Sequence, residues 1–322
     1  MQNKIEPIRI ELTLNIMFPS VNCYLIPGEQ LTLVDCGAGT EENWISLQEQ
    51  LNQHGYQVKD IDQVIITHEH LDHIGLLPQL LEHSKAIIRV PKMTQAWFAN
   101  PKETADDYLK FVKKLYATVG FPKSLEEQAY DFISHMRNYP KIDDLQRLEY
   151  FEEGDVLEIG NTKWEAMNTP GHCPTQFVFV EESQKSIISG DMLLPIAPMP
   201  IVTEDPQNAG HPVRALRNLL DSFERLKVFN FEKVYPGHGP VFSDTNTIID
   251  KQLTRIQMRK AACLEAIQSG LNTPYQIVQK MYPYQTMPPN FSGLHMVLGY
   301  VDLLEEEGKV TREANNELSV LT

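Results

Sequence analysis

The 322-residue chain has little that would tie it together covalently or anchor it in a membrane. Its four cysteines, Cys23, Cys36, Cys173 and Cys263, are far apart and form no C-x-x-C pair. No disulfide framework is legible, and the thiols read as those of a reduced, cytoplasmic protein. No apolar run approaches the ~18 residues of a membrane span. Met1–Ser20 carries Glu6, Arg9 and Glu11 and lacks the charged-then-apolar pattern of a secretion signal. Positive charge is scarce: 28 Lys and Arg stand against 43 Asp and Glu, a net charge of −15. On average such a chain repels nucleic acid and anionic lipid, which favours a small-molecule substrate over a polyanion. Internal repeats and low-complexity tracts are absent, as is a G-x-S-x-G nucleophile elbow.

What is present is a 42 % hydrophobic chain, long enough for one large domain and a smaller one. Ile8, Ile10, Leu12 and Leu14 alternate as in a half-buried strand. Val21–Ile26 and Leu31–Asp35 flank Pro27-Gly28 as a hairpin. Thr40 is placed to cap a helix over Glu41–Gln53, and Val64-Ile65-Ile66 reads as a buried strand. Between Lys92 and Leu148 the apolar residues fall at helical spacing on either side of Pro122, which predicts a helical hairpin inserted between strands. This insert is either added scaffold or a lid presenting Trp97, Phe98, Tyr108 and Phe111. Strands return over Phe151–Phe242, each followed by a turn rich in Gly, Pro, His or Asp. A Pro-rich stretch, Pro195–Pro212, skirts the expected site, with Met192 and Met199 beside it. From Thr245 three helices and a final short strand pair suggest a winged-helix module. The division is thus 1–244, with the insert at about 92–148, and 245–322.

The chemistry gathers at Thr67-His68-Glu69-His70-Leu71-Asp72-His73. Imidazoles and carboxylates are the natural ligands of zinc and similar divalent ions. On a helix these four ligand types would spread around the surface, whereas in a loop leaving a buried strand they can converge. Three further turns have the same character: Thr169-Pro170-Gly171-His172, Ser189-Gly190-Asp191 and Tyr235-Pro236-Gly237-His238-Gly239. Each is weak alone, since a loop histidine is more often merely solvated. Together they give seven candidate ligands at strand ends: His68, His70, Asp72, His73, His172, Asp191 and His238. Glu69 is expected behind the ligands or facing solvent, and Cys173 is expected to point away. His54, His83, His135, His211 and His295 have no ligand-like context.

The order T-H-x-H-x-D-H, T-P-G-H, S-G-D, P-G-H-G resembles the metallo-β-lactamase superfamily, and within it the glyoxalase II-like hydrolases. The resemblance covers about Arg9–Phe242 and implies an α/β (α+β) fold, a four-layer αββα sandwich with the metals at one edge of its sheets. It implies that His68, His70 and His172 hold one metal, that Asp72, His73 and His238 hold a second, and that Asp191 bridges them. Leu33-Val34-Asp35-Cys36-Gly37 resembles the family's Asp-containing strand end, where Asp35 would support the ligands from behind. Asn22 lies in the family-like segment Val21-Asn22-Cys23-Tyr24-Leu25. The tail resembles the winged-helix module of the β-lactamase-like 2 group.

The implied activity is a metal-dependent hydrolase that uses a hydroxide activated by two divalent ions on a small ester, thioester or lactone, with Asp72 as ligand and proton shuttle. Zinc is the default, with iron or manganese accepted by the same ligands. A lactonase of the acyl-homoserine type is disfavoured, because Leu194 stands where those enzymes place a tyrosine. Persulfide dioxygenases, which use one iron, are disfavoured by the complete second ligand set. The alternative is an endoribonuclease-like nuclease acting on phosphodiesters. Against it, Asp250–Thr322 holds seven Lys and Arg and eight Asp and Glu, with only Arg255, Arg259 and Lys260 clustered. The tail then reads as a packing or homodimerisation module.

Overall fold

The structure is a computed structural model, and it describes residues 6–14, 18–136, 139–142, 144–195, 200–205, 210–283, 291–313 and 316–321, with side chains omitted at 136 and 291. Met199 therefore lies outside the described residues.

Two sheets form the centre. The first runs in the order β1 (Ile8–Thr13), β2 (Ser20–Ile26), β3 (Thr32–Val34), β4 (Gln63–Ile65), β5 (Ile87–Pro91) and β6 (Leu148–Phe151). Its first three strands are antiparallel and its last four run parallel. The second runs β11 (Lys233–Pro236), β10 (Ser186–Gly190), β9 (Phe177–Glu181), β8 (Thr162–Asn168), β7 (Val156–Ile159). Only its β10–β11 pair is parallel.

The period-two alternation of strand side chains sorts the residues into layers. Tyr24, Ile26, Val34 and Ile65 of the first sheet meet Phe177, Phe179, Ile188 and Tyr235 of the second in one apolar seam. The opposite faces carry Val21, Cys23, Leu25 and Val64 against helices α1 (Glu41–Gln53) and α3 (Leu77–His83). On the far side Val178, Val180, Ile187 and Val234 pack against helix α7 (Ala215–Lys227). The result is the αββα sandwich expected from the sequence. Strand β4 leads directly into a single-turn helix, α2 (Leu71–Ile74), within the histidine cluster.

The capped helix after Thr40 is as expected, with the Thr40 hydroxyl accepting from the Asn43 amide at 3.2 Å. Helix α7 was not anticipated, because the region was read as strands only. Its Leu216, Leu219, Phe223 and Leu226 recur at three- and four-residue spacing and are all buried.

The insert forms α4 (Gln95–Ala99), α5 (Pro101–Thr118) and α6 (Lys123–Met136), lying between β5 and β6. Phe98 is buried in the core beneath the first sheet, and Trp97 stacks on Tyr139 at 4.4 Å. These two serve as scaffold. Tyr108 and Phe111 join the core on the second-sheet side. The hairpin tip is fastened to the C-terminal helices. The Tyr275 amide donates to the Val119 carbonyl at 3.0 Å, and Phe121 packs edge-on against Tyr275.

The tail comprises α8 (Thr245–Gln268), α9 (Pro274–Met281) and α10 (Phe291–Glu306), then an antiparallel pair, β12 (Val310–Arg312) and β13 (Leu318–Val320). Its apolar residues belong to the same continuous core as α7 and the insert. Among the described residues no helix is long and apolar enough to cross a membrane.

Candidate metal centre

Sheet direction brings the site together. The cluster His68–His73 follows β4, while His172, Asp191 and His238 follow β8, β10 and β11. In the second sheet β8 and β10 are each antiparallel to β9, and β11 is parallel to β10, so all three end at the same edge. Two backbone bonds join that edge to the first sheet: Phe177 N–H to Thr67 O at 2.9 Å, and Asn22 N–H to Gly237 O at 2.7 Å.

All seven sequence-predicted ligands meet there. His68 Nε2 and His172 Nε2 lie 2.9 Å and 2.8 Å from His70 Nδ1. Nitrogen ligands bound at about 2.0–2.1 Å around a tetrahedral ion stand about 3.3 Å apart, so this trio has nearly the span of a chelating set. His238 Nε2 lies 3.4 Å and His73 Nε2 3.9 Å from Asp72 Oδ2. Asp191 sits between the groups, with Oδ2 3.4 Å from His172 Nε2 and 3.3 Å from His238 Nε2, and Oδ1 3.5 Å from His73 Nε2. Among the described residues three sets have ligand atoms mutually within 4.8 Å: His68/His70/His172, His68/His73/Asp191 and Asp72/His73/His238.

Groups behind the ligands fix which nitrogen faces inward. Asp35, 2 % exposed, receives the Thr67 amide at 2.9 Å and the Thr67 hydroxyl at 2.8 Å, and His73 Nδ1 donates to it at 2.8 Å. The Thr67 hydroxyl, already donating to Asp35, accepts from His68 Nδ1 at 3.0 Å. His238 Nδ1 donates to the Ser20 carbonyl at 2.7 Å, and its ring stacks on Phe18 at 4.0 Å. In each case Nε2 is left to face the centre. His73 Nε2, His238 Nε2 and Asp191 Oδ1 are buried without a hydrogen-bond partner among the described residues. Their contacts with neighbouring ligands are close enough to attract but too long or poorly aligned to satisfy them. A divalent cation fits such a donor set of imidazole nitrogens and carboxylates, none of which is paired with a lysine or arginine among the described residues.

Charge follows the same layout. Burial, then the imidazoles of His73 and His70, push His68 well below the usual histidine range. Burial would lower His73 and His238 as well, but the carboxylates around them win. Asp191, Asp35 and Asp72 raise His73 well above its ordinary value, and Asp191 with Asp72 raises His238 to about 10. Reciprocally, burial pushes the carboxyls up, but His73 and His238 outweigh it, holding Asp72 at about 2 and Asp191 well below the ordinary carboxylate range.

Two residues that sequence reasoning left without a task hold the last turn. Asn22 Nδ2 donates to the carbonyls of Pro236 (2.8 Å) and Gly239 (2.7 Å), and the Tyr24 hydroxyl donates to Pro236 O at 2.7 Å. Gly237 is required by space: a Cβ there would lie 2.3 Å from Asp191 Oδ1 and 2.9 Å from His73 Cε1. Glu69 is buried and accepts from the Thr175 hydroxyl, which ties the histidine loop to the loop bearing His172. Cys173 is buried with Sγ 3.2 Å from Thr175 Oγ1. His83, His135 and His211 lie away from the centre, His83 and His135 each against a carbonyl four residues back and His211 exposed.

An αββα sandwich with a His/Asp centre at its sheet edge defines a class of metallo-hydrolases, and the comparisons agree with it. The family model described as the metallo-beta-lactamase superfamily matches residues 17–238, and the chain belongs to that superfamily. It is 27 % identical over 294 residues to the probable metallo-hydrolase YqjP of Bacillus subtilis, covering 89 % of this chain and 88 % of the relative. It is 29 % identical over 175 residues to the hydroxyacylglutathione hydrolase GloC of Haemophilus influenzae, covering 53 % of this chain and 66 % of the relative. The crystal structure of the metallo-beta-lactamase family protein TTHA1429 from Thermus thermophilus superimposes with a TM-score of 0.79 at 21 % identity, over 98 % of each chain.

Proposed function

We propose that this chain hydrolyses a small ester, thioester or lactone with the help of two divalent ions, zinc by default. His68, His70 and His172 would hold one ion, Asp72, His73 and His238 the other, and Asp191 would stand between them. The observation that carries this reading is the set of inward-facing, buried ligand atoms without hydrogen bonds, His73 Nε2, His238 Nε2 and Asp191 Oδ1. A buried polar atom left unsatisfied costs about 1–3 kcal/mol, and a bound cation removes that cost. When bound, a divalent pair supplies a water acidified toward neutrality and neutralises charge developing on the substrate.

The chain's own groups do the remainder. Asp35 and the Ser20 carbonyl keep the His73 and His238 rings from turning. Asp72 Oδ2 stands 3.4 Å from His238 Nε2 at the same edge, where a carboxylate can pass a proton to the leaving group. The name of the GloC relative favours an acyl thioester among the three substrate classes.

The phosphodiester alternative is weakened by the basic residues themselves. Arg259 lies over the Tyr282 ring at 5.2 Å, and Lys260 is ion-paired with Glu307. Both are engaged within the tail, which we read as a winged-helix-like packing module rather than a phosphate-binding face. Elemental analysis of the purified chain, alongside initial rates on thioesters, lactones, phosphodiesters and RNA, tests the proposal. About two divalent ions per chain and fastest turnover of an acyl substrate are expected. RNA cleavage that outpaces every acyl substrate and is abolished by Arg255→Ala with Arg259→Ala would overturn it.

A further inference from the structure

Histidine is an unusual choice for a position 1 % exposed on a helix whose neighbouring buried residues are Leu294, Val297, Leu298 and Val301. Packing alone would be better served by leucine, because a buried imidazole must recover its lost hydration by hydrogen bonding. His295 does so at Nδ1. Its Nδ1 accepts from the Val202 backbone amide at 2.8 Å, 93 residues away. The next residue back continues the chain of contacts, since Ile201 N–H donates to the His172 carbonyl at 2.8 Å. His295 on α10 is thus two hydrogen bonds from the backbone of a candidate metal ligand.

A second polar side chain grips the other end of the same stretch. Gln252 on α8, 6 % exposed, donates from Nε2 to the Leu194 carbonyl at 2.9 Å, three residues beyond Asp191. The Leu193 carbonyl is held from within by the Ser189 hydroxyl at 3.1 Å. Helix α7 adds a parallel support. Its Ser222 hydroxyl donates to the Pro170 carbonyl at 2.7 Å, and its Leu219 stands so close to Gly171 that a Cβ there would lie 2.6 Å from Leu219 Cα. Helix α10 in turn presses on α7, since a Cβ at Gly299 would lie 2.5 Å from Leu216 Cβ.

We infer that the C-terminal helices are part of the frame of the metal pocket, and that His295 and Gln252 are positioning residues. They hold Val202 and Leu194, the flanks of the stretch that follows Asp191, and through Ile201 they hold the turn that presents His172. On this account the tail does not merely cover apolar surface. It fixes backbone whose displacement would carry His172 away from His68 and His70.

His295→Phe keeps the ring and removes the acceptor, whereas His295→Asn puts an acceptor oxygen where Nδ1 stood. Hydrogen exchange on the full chain, with and without zinc, reads the positions directly. In His295→Phe the amides of 171–173 and 201–203 should exchange about ten-fold faster, while those of β2 stay at the wild-type rate. Zinc affinity, measured by competition with a chromophoric chelator, should fall about ten-fold. His295→Asn should stay close to wild type in both. Gln252→Leu should speed exchange at the amides of 193 and 194 and serves if His295→Phe does not fold. Wild-type exchange at 171–173 in His295→Phe, His295→Asn as impaired as His295→Phe, or a uniform rise that includes β2 and α1 would each overturn the inference. The zinc measurement rests on the metal-site reading above and the exchange measurement does not, so failure of the one without the other shows which of the two is wrong.

Discussion

His68 neighbours the imidazoles of His73 and His70 and the carboxylate of Asp191, whereas His73 and His238 lie among Asp72, Asp191 and, for His73, Asp35. The consequence is visible in their proton affinities: His68 is pushed down, while His73 and His238 are pushed up. One sheet edge thus holds buried imidazoles whose proton affinities move in opposite directions. His68 is held toward its neutral form, whereas His73 and His238 must give up protons to receive a cation. Burial lowers all three of these imidazoles, so the carboxylates around His73 and His238 and the imidazoles around His68 decide the difference.

The contrast breaks most completely at Asp191, which faces both trios. Asp191→Ala should lower acyl hydrolysis about a thousand-fold or more and reduce metal content in both trios together. Loss of only one ion, read by elemental analysis, would show that Asp191 belongs to one trio alone. Asp35→Asn should sharpen the contrast. It touches His73 directly and His68 only through Thr67, so metal affinity should fall about ten- to a hundred-fold, chiefly in the second trio. Equal weakening of both ions, measured by stepwise titration of the metal-free chain, would contradict that ordering.

The smallest effect is set by pH. Taking the chain from pH 8 to 6 should reduce its zinc content from about two ions toward about one, because protons reclaim His73 and His238 first. The metal-free chain carries a matching signature. His238 contributes stability in full below its ordinary value of 6.5, and that contribution fades as pH climbs through about 10. Asp72 contributes above 3.8 and loses its contribution as pH falls through about 2. The melting temperature of the metal-free chain should therefore decline between about pH 6.5 and 10, and zinc should flatten that decline. A metal-free melting temperature that rises over this interval would reverse the assigned charges.

Local signals were legible in proportion to how local their causes are. The Thr40 cap, the buried strand before the histidine cluster and the long helix from Thr245 each depend on residues within a few positions of one another. The seven candidate ligands were legible because imidazoles and carboxylates after strand ends are chemically conspicuous wherever the strands fall. Helix α7 carried its own period and was passed over in a region of strong strand and turn signals. Asn22, Tyr24 and His295 were illegible for a different reason. Their partners lie 214, 212 and 93 residues away, and only the meeting of sheet edges and helices gives an amide, a phenol or an imidazole something to hold. His295 has no ligand-like context in the sequence, and its hydrogen bond to the backbone leaves no mark in spacing or composition.

Gly237 has a consequence beyond its own turn. Because the volume beside its α-carbon is already taken by Asp191 and His73, one added methyl group would displace a carboxylate or an imidazole while every candidate ligand remained in the sequence. A lineage could abandon this chemistry through that single exchange. A census of histidines and aspartates would still count such a descendant as an intact enzyme, and only the size of the residue at 237 would reveal that it was not.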